Sequence, residues 1–160
     1  MNYKKLGAVL GKIMILESVL MIAPLAVSFI YRESLTHKLA FLIPILILAV
    51  LGLLLQLPKP ERNSFYQKEG FALTALVWIV MTLFGAIPFV INGTIPNYID
   101  AVFETVSGFT TTGASILTSE QIESMDKGLM FWRMFTNWIG GMGILVFVLA
   151  LMPANNAGVM

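Results

Sequence analysis

The stretch YIDAVFETVSGFTTTGAS, residues 98–115, changes character at its midpoint. Ile99, Val102, Phe103 and Val106 fall at the three- and four-residue spacing of one helix face, which predicts a helix over Tyr98–Phe109. Asp100 in its first turn suits the positive end of the helix dipole. At 1.5 Å per residue such a helix reaches about 16 Å, half a bilayer's hydrocarbon thickness and not a crossing. NGTIPN (92–97) ahead of it is a turn, punctuated by Gly93 and Pro96. Behind it, GFTTTGAS (108–115) gathers small and hydroxyl-bearing residues between an apolar run and a charged one.

The rest of the chain says what solvent surrounds that stretch. The 160 residues are 58% hydrophobic and 12% charged, against about 25% charged in ordinary soluble domains. Mean hydropathy is +0.84, and Leu, Ile, Val, Met and Phe come in blocks. A chain of this size cannot hide so much apolar surface in one core, so lipid is its expected solvent. A formal net charge of +1 argues against nucleic-acid binding. Cysteine is absent, which removes disulfides and thiolate chemistry.

Four apolar blocks are long enough to cross a membrane. They run from Ile13 to Ile30, Leu39 to Leu57, Phe71 to Ile91 and Met130 to Met152. YRESLTHK (31–38) makes the first two a helical hairpin, with His37 expected to be a solvated loop residue. PKPERNSFYQKEG (58–70) is a polar connection whose prolines end the second helix. Lys4, Lys5, Lys12, Lys59, Arg62 and Lys68 place the N-terminus in the cytoplasm. Glu33, Asp100, Glu104, Glu120, Glu123 and Asp126 then fall on the outer side, where carboxylates raise the local cation concentration; a merely soluble outer loop is the alternative. Glu17 is the one acid clearly inside an apolar run, with either a transport role or a structural pairing, for instance with Lys12.

In that setting the half-helix and its threonines suggest a re-entrant loop. Non-helical backbone at membrane depth needs protein or a water-filled cavity to receive its polar groups, and a pore supplies one. A potassium-like filter replaces the ion's water shell with carbonyl oxygens. Aligning those carbonyls demands unusual dihedrals, which glycine meets most cheaply, and Gly113 is the candidate. The candidate filter is Thr110, Thr111, Thr112, Gly113 and Ala114, with potassium at Thr111, Thr112 and Gly113. A Ser/Thr-rich outer loop is the plainer alternative. In the last block, Gly140, Gly141 and Gly143 allow close helix approach, and Trp132, Trp138 and Arg133 fit an outer interfacial anchor.

FETVSGFTTTGAS (103–115) followed by WRMFTNWIGGMGILVFVLALMP (132–153) resembles the first pore repeat of the Trk/Ktr/HKT superfamily of potassium transporters, most closely its TrkH branch. That resemblance implies an all-α integral membrane protein with four transmembrane helices and one re-entrant half-helix pore loop. It divides the chain into an N-terminal helical hairpin (1–57), a cytoplasmic linker (58–70), the first helix–pore loop–helix repeat (71–153) and a truncated cytoplasmic connection (154–160). Family proteins carry four such repeats around one path, so this chain is expected to be a fragment supplying one of four filter segments. The implied partners are the potassium ion as substrate, the remaining three repeats, a second copy in a homodimer, the lipid membrane, and a cytosolic TrkA-type nucleotide-binding regulatory subunit. No cofactor is implied. The implied location is a bacterial or archaeal inner membrane.

Two other classes remain in view. A small membrane structural or assembly subunit would use the glycine-rich helix without any pore. A membrane enzyme is disfavoured, since no G-x-S-x-G or H-E-x-x-H motif and no lysine–acid constellation occurs.

Overall fold

The computed structural model describes residues 3–57 and 67–151, and every regular element among them is a helix. The first hydrophobic path, Leu6–Ile30, is made of α1 (Tyr3–Leu20) and α2 (Ile22–Ile30). The interruption at Met21 precedes Pro24, which has no N–H to offer the carbonyl one turn back. The path starts a turn or more before Ile13, where the apolar run begins. Gly11, a poor helix former, is helical here because α1 crosses α3 (Leu35–Gln56) at backbone contact. A Cβ on Gly11 would lie 2.6 Å from the Gly52 carbonyl oxygen, and one on Gly52 would lie 2.7 Å from that of Gly11.

The hairpin turn is tighter than residues 31–38. Arg32 adopts the left-handed conformation (φ 55°) and closes α2: its N–H donates to Phe29 O, and that of Glu33 donates to Ser28 O. α3 begins at Leu35 and runs through the buried Pro44 without a break. His37 therefore lies on a helix and not in a solvated loop. Its Nδ1 sits 3.1 Å from Asp126 Oδ1, and Asn92 donates to the other oxygen of the same carboxylate. The hairpin is fastened to the start of the last helix by Glu33, whose Oε1 accepts the Gly128 N–H at 3.0 Å.

Of the connection over 58–70, residues 58–66 lie outside the described residues, and α4 (Gln67–Gly85) has already begun by residue 67. The third apolar run is two pieces, because Ala86 breaks it ahead of Pro88 and α5 (Ile87–Asn92) continues it. The segment 154–160 lies outside the described residues. After α6 (Tyr98–Phe109) and the short α7 (Ser119–Glu123), α8 (Lys127–Leu151) extends for 25 residues, about 37 Å. Leu6–Ile30, Leu35–Gln56 and Gly70–Asn92 are each long and apolar enough to cross a membrane, and α8 matches them in length. The fold is that of an all-α membrane protein.

The core sits where α6 enters the others. Phe109 meets Trp78 and Trp132 edge-on, with ring centroids 6.4 Å and 6.3 Å away. Trp132 is fully buried, so it is no interfacial anchor, whereas Trp138 is 60% exposed. The reason is the break in α4–α5: Phe89 N–H bonds to Ala86 O, and the Trp132 indole N–H donates instead to Gly85 O. Burial gives the indole its polar partner and completes the helix end.

Candidate functional site

α6 is fixed at both ends. The Asn97 side chain accepts the Ile99 N–H at its start, and the Tyr98 hydroxyl donates to Leu83 O on α4. At its other end the threonines fold back. Thr111 N–H donates to Gly108 O and Thr112 N–H to Ser107 O, which are the paired bonds of a helix closed by a left-handed residue. That residue is Thr111, at φ 57°. A β-branched residue there is an outlier costing about 1–3 kcal/mol, and it persists only where its surroundings hold it.

The handedness of this turn has a consequence for its carbonyls. Thr110 is right-handed (φ −83°), Thr111 left-handed, and Gly113 left-handed again at φ 76°. The last carbonyls of α6, at Val106, Ser107 and Gly108, are all taken by N–H groups of residues 110–113. Among the described residues no backbone N–H donates to the carbonyls of Thr110 to Gly113 themselves. Thr110 Oγ1 donates to Val106 O and accepts from Thr112 Oγ1, 2.8 Å away. Thr110, Thr111, Thr112, Gly113 and Ala114 are all exposed, a strip of unclaimed oxygens on a rigidly capped helix.

The face that α6 presents to the chain is the reverse of the amphipathic reading. Ile99, Phe103 and Val106 are 75%, 47% and 38% exposed, while Ala101, Glu104, Thr105, Ser107 and Gly108 are buried. The buried stripe instead matches α8, which offers Arg133, Thr136 and Gly140. A Cβ on Gly140 would collide with the Phe109 carbonyl, so glycine is required there for the inner helix to touch the end of α6. At Gly141 and Gly143 a Cβ would meet Thr111 Cγ2 at 3.9 Å and Trp78 at 3.7 Å, ordinary contacts.

Glu104 differs most from its sequence reading as an outer cation attractor. It is 4% exposed. Its Oε1 accepts Arg133 Nε at 2.8 Å, both oxygens accept the Ser115 hydroxyl at 3.0 and 2.9 Å, and Oε2 accepts the Ile116 N–H at 3.2 Å. One carboxylate therefore joins the half-helix, the irregular segment leaving the threonines, and α8. Arg133 is spent on this bond and not on the interface. The sequence held a signal for the cluster: Ala101, Glu104, Thr105 and Gly108 recur at helix-face spacing, a small-and-polar stripe that marks a packing face. Asp100, Glu120 and Glu123 are exposed, on α6 and α7. The described residues hold no group of three or more potential metal-ligating side chains.

Residues 37–159 match the family model TrkH, described as a cation transport protein. Trk system potassium uptake protein TrkH of Halomonas elongata is 32% identical over 160 residues, and that of Escherichia coli K12 is 34% identical over 161. Both alignments take in 99% of this chain and 32% of the relative. An uncharacterized cation transporter of Methanocaldococcus jannaschii is 36% identical over 138 residues, which is 86% of this chain and 28% of that protein. The crystal structure of the potassium transporter TrkH from Vibrio parahaemolyticus superposes with a TM-score of 0.87 at 30% identity, covering all of this chain and 34% of that one. The chain thus spans about a third of the length of the relatives it matches.

Proposed function

Because this chain belongs to the TrkH family of cation transport proteins, we propose that it supplies one of four filter segments in a potassium uptake transporter. The observation that carries this reading is the turn after α6, where left-handed Thr111 and Gly113 leave carbonyls exposed and unclaimed. Potassium sheds its water onto such oxygens, at Thr111, Thr112 and Gly113. The ion moves without covalent chemistry, past a loop whose shape is held by Glu104, Arg133 and Gly140.

One turn cannot encircle an ion, so the exposed apolar face of α6 and the open side of the filter belong against three further repeats. The assembled protein is a homodimer in a bacterial or archaeal inner membrane, with its N-terminus in the cytoplasm. A TrkA-type nucleotide-binding subunit regulates it from that side. Asp100, Glu120 and Glu123 draw cations toward the outer mouth, while Glu104 is excluded from that role by its burial.

The test is Gly113→Asp in the complete transporter. A side chain at φ 76° is strained, and its carboxylate stands among the filter oxygens. Potassium uptake is expected to be abolished while membrane insertion and expression are unchanged. Normal uptake with unaltered selectivity would sink the assignment.

A further inference from the structure

The two ends of the proposed filter are held by different means. On the α6 side, the N–H groups of Thr110, Thr111 and Thr112 bond to the last carbonyls of the helix at 2.8, 2.9 and 3.0 Å. On the far side, residues 114–117 neither give nor accept a backbone–backbone hydrogen bond among the described residues. One hydroxyl and one carboxylate hold them instead. Ser115 Oγ lies 3.0 and 2.9 Å from the two oxygens of Glu104 and donates to that carboxylate, while it accepts the Leu117 N–H at 3.1 Å. The Ile116 N–H reaches Glu104 Oε2 at a longer 3.2 Å. Without the Ser115 hydroxyl, that last bond is the one hydrogen bond tying this end to the rest of the described chain.

Glu104 is a fixed post, since it is 4% exposed and Arg133 Nε on α8 meets its Oε1 at 2.8 Å. Between α6 and that post the chain has a swivel at Gly113. A Cβ built there, at φ 76°, would meet nothing within 4 Å, and glycine passes between left- and right-handed backbone at little cost. The tether at Ser115 therefore fixes the direction in which the Gly113 carbonyl points. On the filter assignment made above, we propose that Ser115 is a positioning residue whose bond to Glu104 sets how well the filter separates potassium from sodium. Selectivity by cavity size and selectivity by the number and field of the carbonyls both ask for oxygens held in place. A Gly113 carbonyl released from its tether closes on the smaller ion, which a fixed one does not.

The experiment measures potassium and sodium uptake by the complete transporter in proteoliposomes, for Ser115→Ala, Ser115→Val and Ser115→Thr beside the unmutated protein. Valine and threonine are nearly the same shape and differ in the hydroxyl, so a steric disturbance alters both and loss of the bond alters one. The ratio of potassium to sodium uptake is expected to fall roughly tenfold in Ser115→Ala and Ser115→Val, the lower end of what a hydrogen bond to a charged group is worth. Ser115→Thr is expected to keep the ratio of the unmutated protein. Glu104→Asp draws the post back while keeping its charge, and is expected to lower the ratio too; it covers the case in which the hydroxyl-free variants fail to assemble. The proposal is overturned by an unchanged ratio in these variants, by an equal fall in Ser115→Thr, or by weaker uptake at a constant ratio, which would make Ser115 a structural residue only. An unchanged ratio in Ser115→Ala beside a defective Gly113→Asp overturns the role of Ser115 alone, whereas normal uptake in both removes the filter as well.

Discussion

Glu104 and Glu17 are both carboxylates buried in a lipid-solvated chain, at 4% and 1% exposure, yet their surroundings are opposites. Glu104 takes an arginine, a serine hydroxyl and a backbone N–H from two other parts of the chain. Glu17 takes no hydrogen bond among the described residues. Burial alone therefore says little about what an intramembrane acid does; its partners divide the cases. A saturated carboxylate is a joint, because every bond it makes holds two segments in register. An unsaturated one joins nothing among the described residues.

The sharpest way to break that distinction is Glu104→Gln. The amide is nearly the same shape but leaves Arg133, itself only 16% exposed, without its counter-charge. Breaking a buried pair from one side costs about 3–5 kcal/mol, and the partial exposure of the arginine places the loss near about 3 kcal/mol. The melting temperature in detergent should fall markedly, and potassium uptake by the complete transporter should fall with it. Arg133→Met added to Glu104→Gln should recover part of the stability, since it removes the orphaned charge. A double variant no more stable than the single one would mean that Glu104 and Arg133 do not act as a pair.

A smaller effect tests what the joint is for. Thr111 is held left-handed within the same loop, and Thr111→Gly removes the steric penalty of about 1–2 kcal/mol on that conformation. Stability is expected to rise by about 1 kcal/mol, the glycine's greater unfolded-state freedom offsetting part of the relief. Uptake or selectivity is expected to worsen if Thr111 stands in the proposed filter, because its hydroxyl and methyl are then lost there. If stability instead drops, the strain at Thr111 is not what Glu104, Ser115 and Gly140 restrain.

These cases also mark how far the residues alone could carry the fold. The half-length helix, the helical paths and the left-handed backbone at Gly113 are all legible, because each rests on local pattern: apolar run length, turn residues, a glycine after threonines. Glu104, Arg133, Trp132 and His37 were misplaced for one reason. Glu104 meets Arg133 29 residues on, Trp132 meets Gly85 47 residues back and His37 meets Asp126 89 residues on, and no local pattern reports a contact at that distance. The inverted face of α6 has a different cause. Periodicity finds the apolar stripe but not the direction in which it faces.

The smallest expected effect comes from the other side of the comparison. Glu17→Leu replaces an unpartnered polar group with one that suits the apolar walls of the cleft it lines between α1, α4 and α8, so it removes a desolvation cost and adds apolar contact. Replacing buried ionic groups by well-packed apolar ones is often neutral or stabilising. The change should raise stability by about 1 kcal/mol or leave it unmoved, opposite in sign to Glu104→Gln, as read by thermal unfolding in the same detergent. A loss of about 2 kcal/mol or more would mean that Glu17 already has a partner holding helices together, and the two acids would then be joints of one kind. Stability gained at Glu17 and lost at Glu104 would separate an acid that the fold uses from one that it does without.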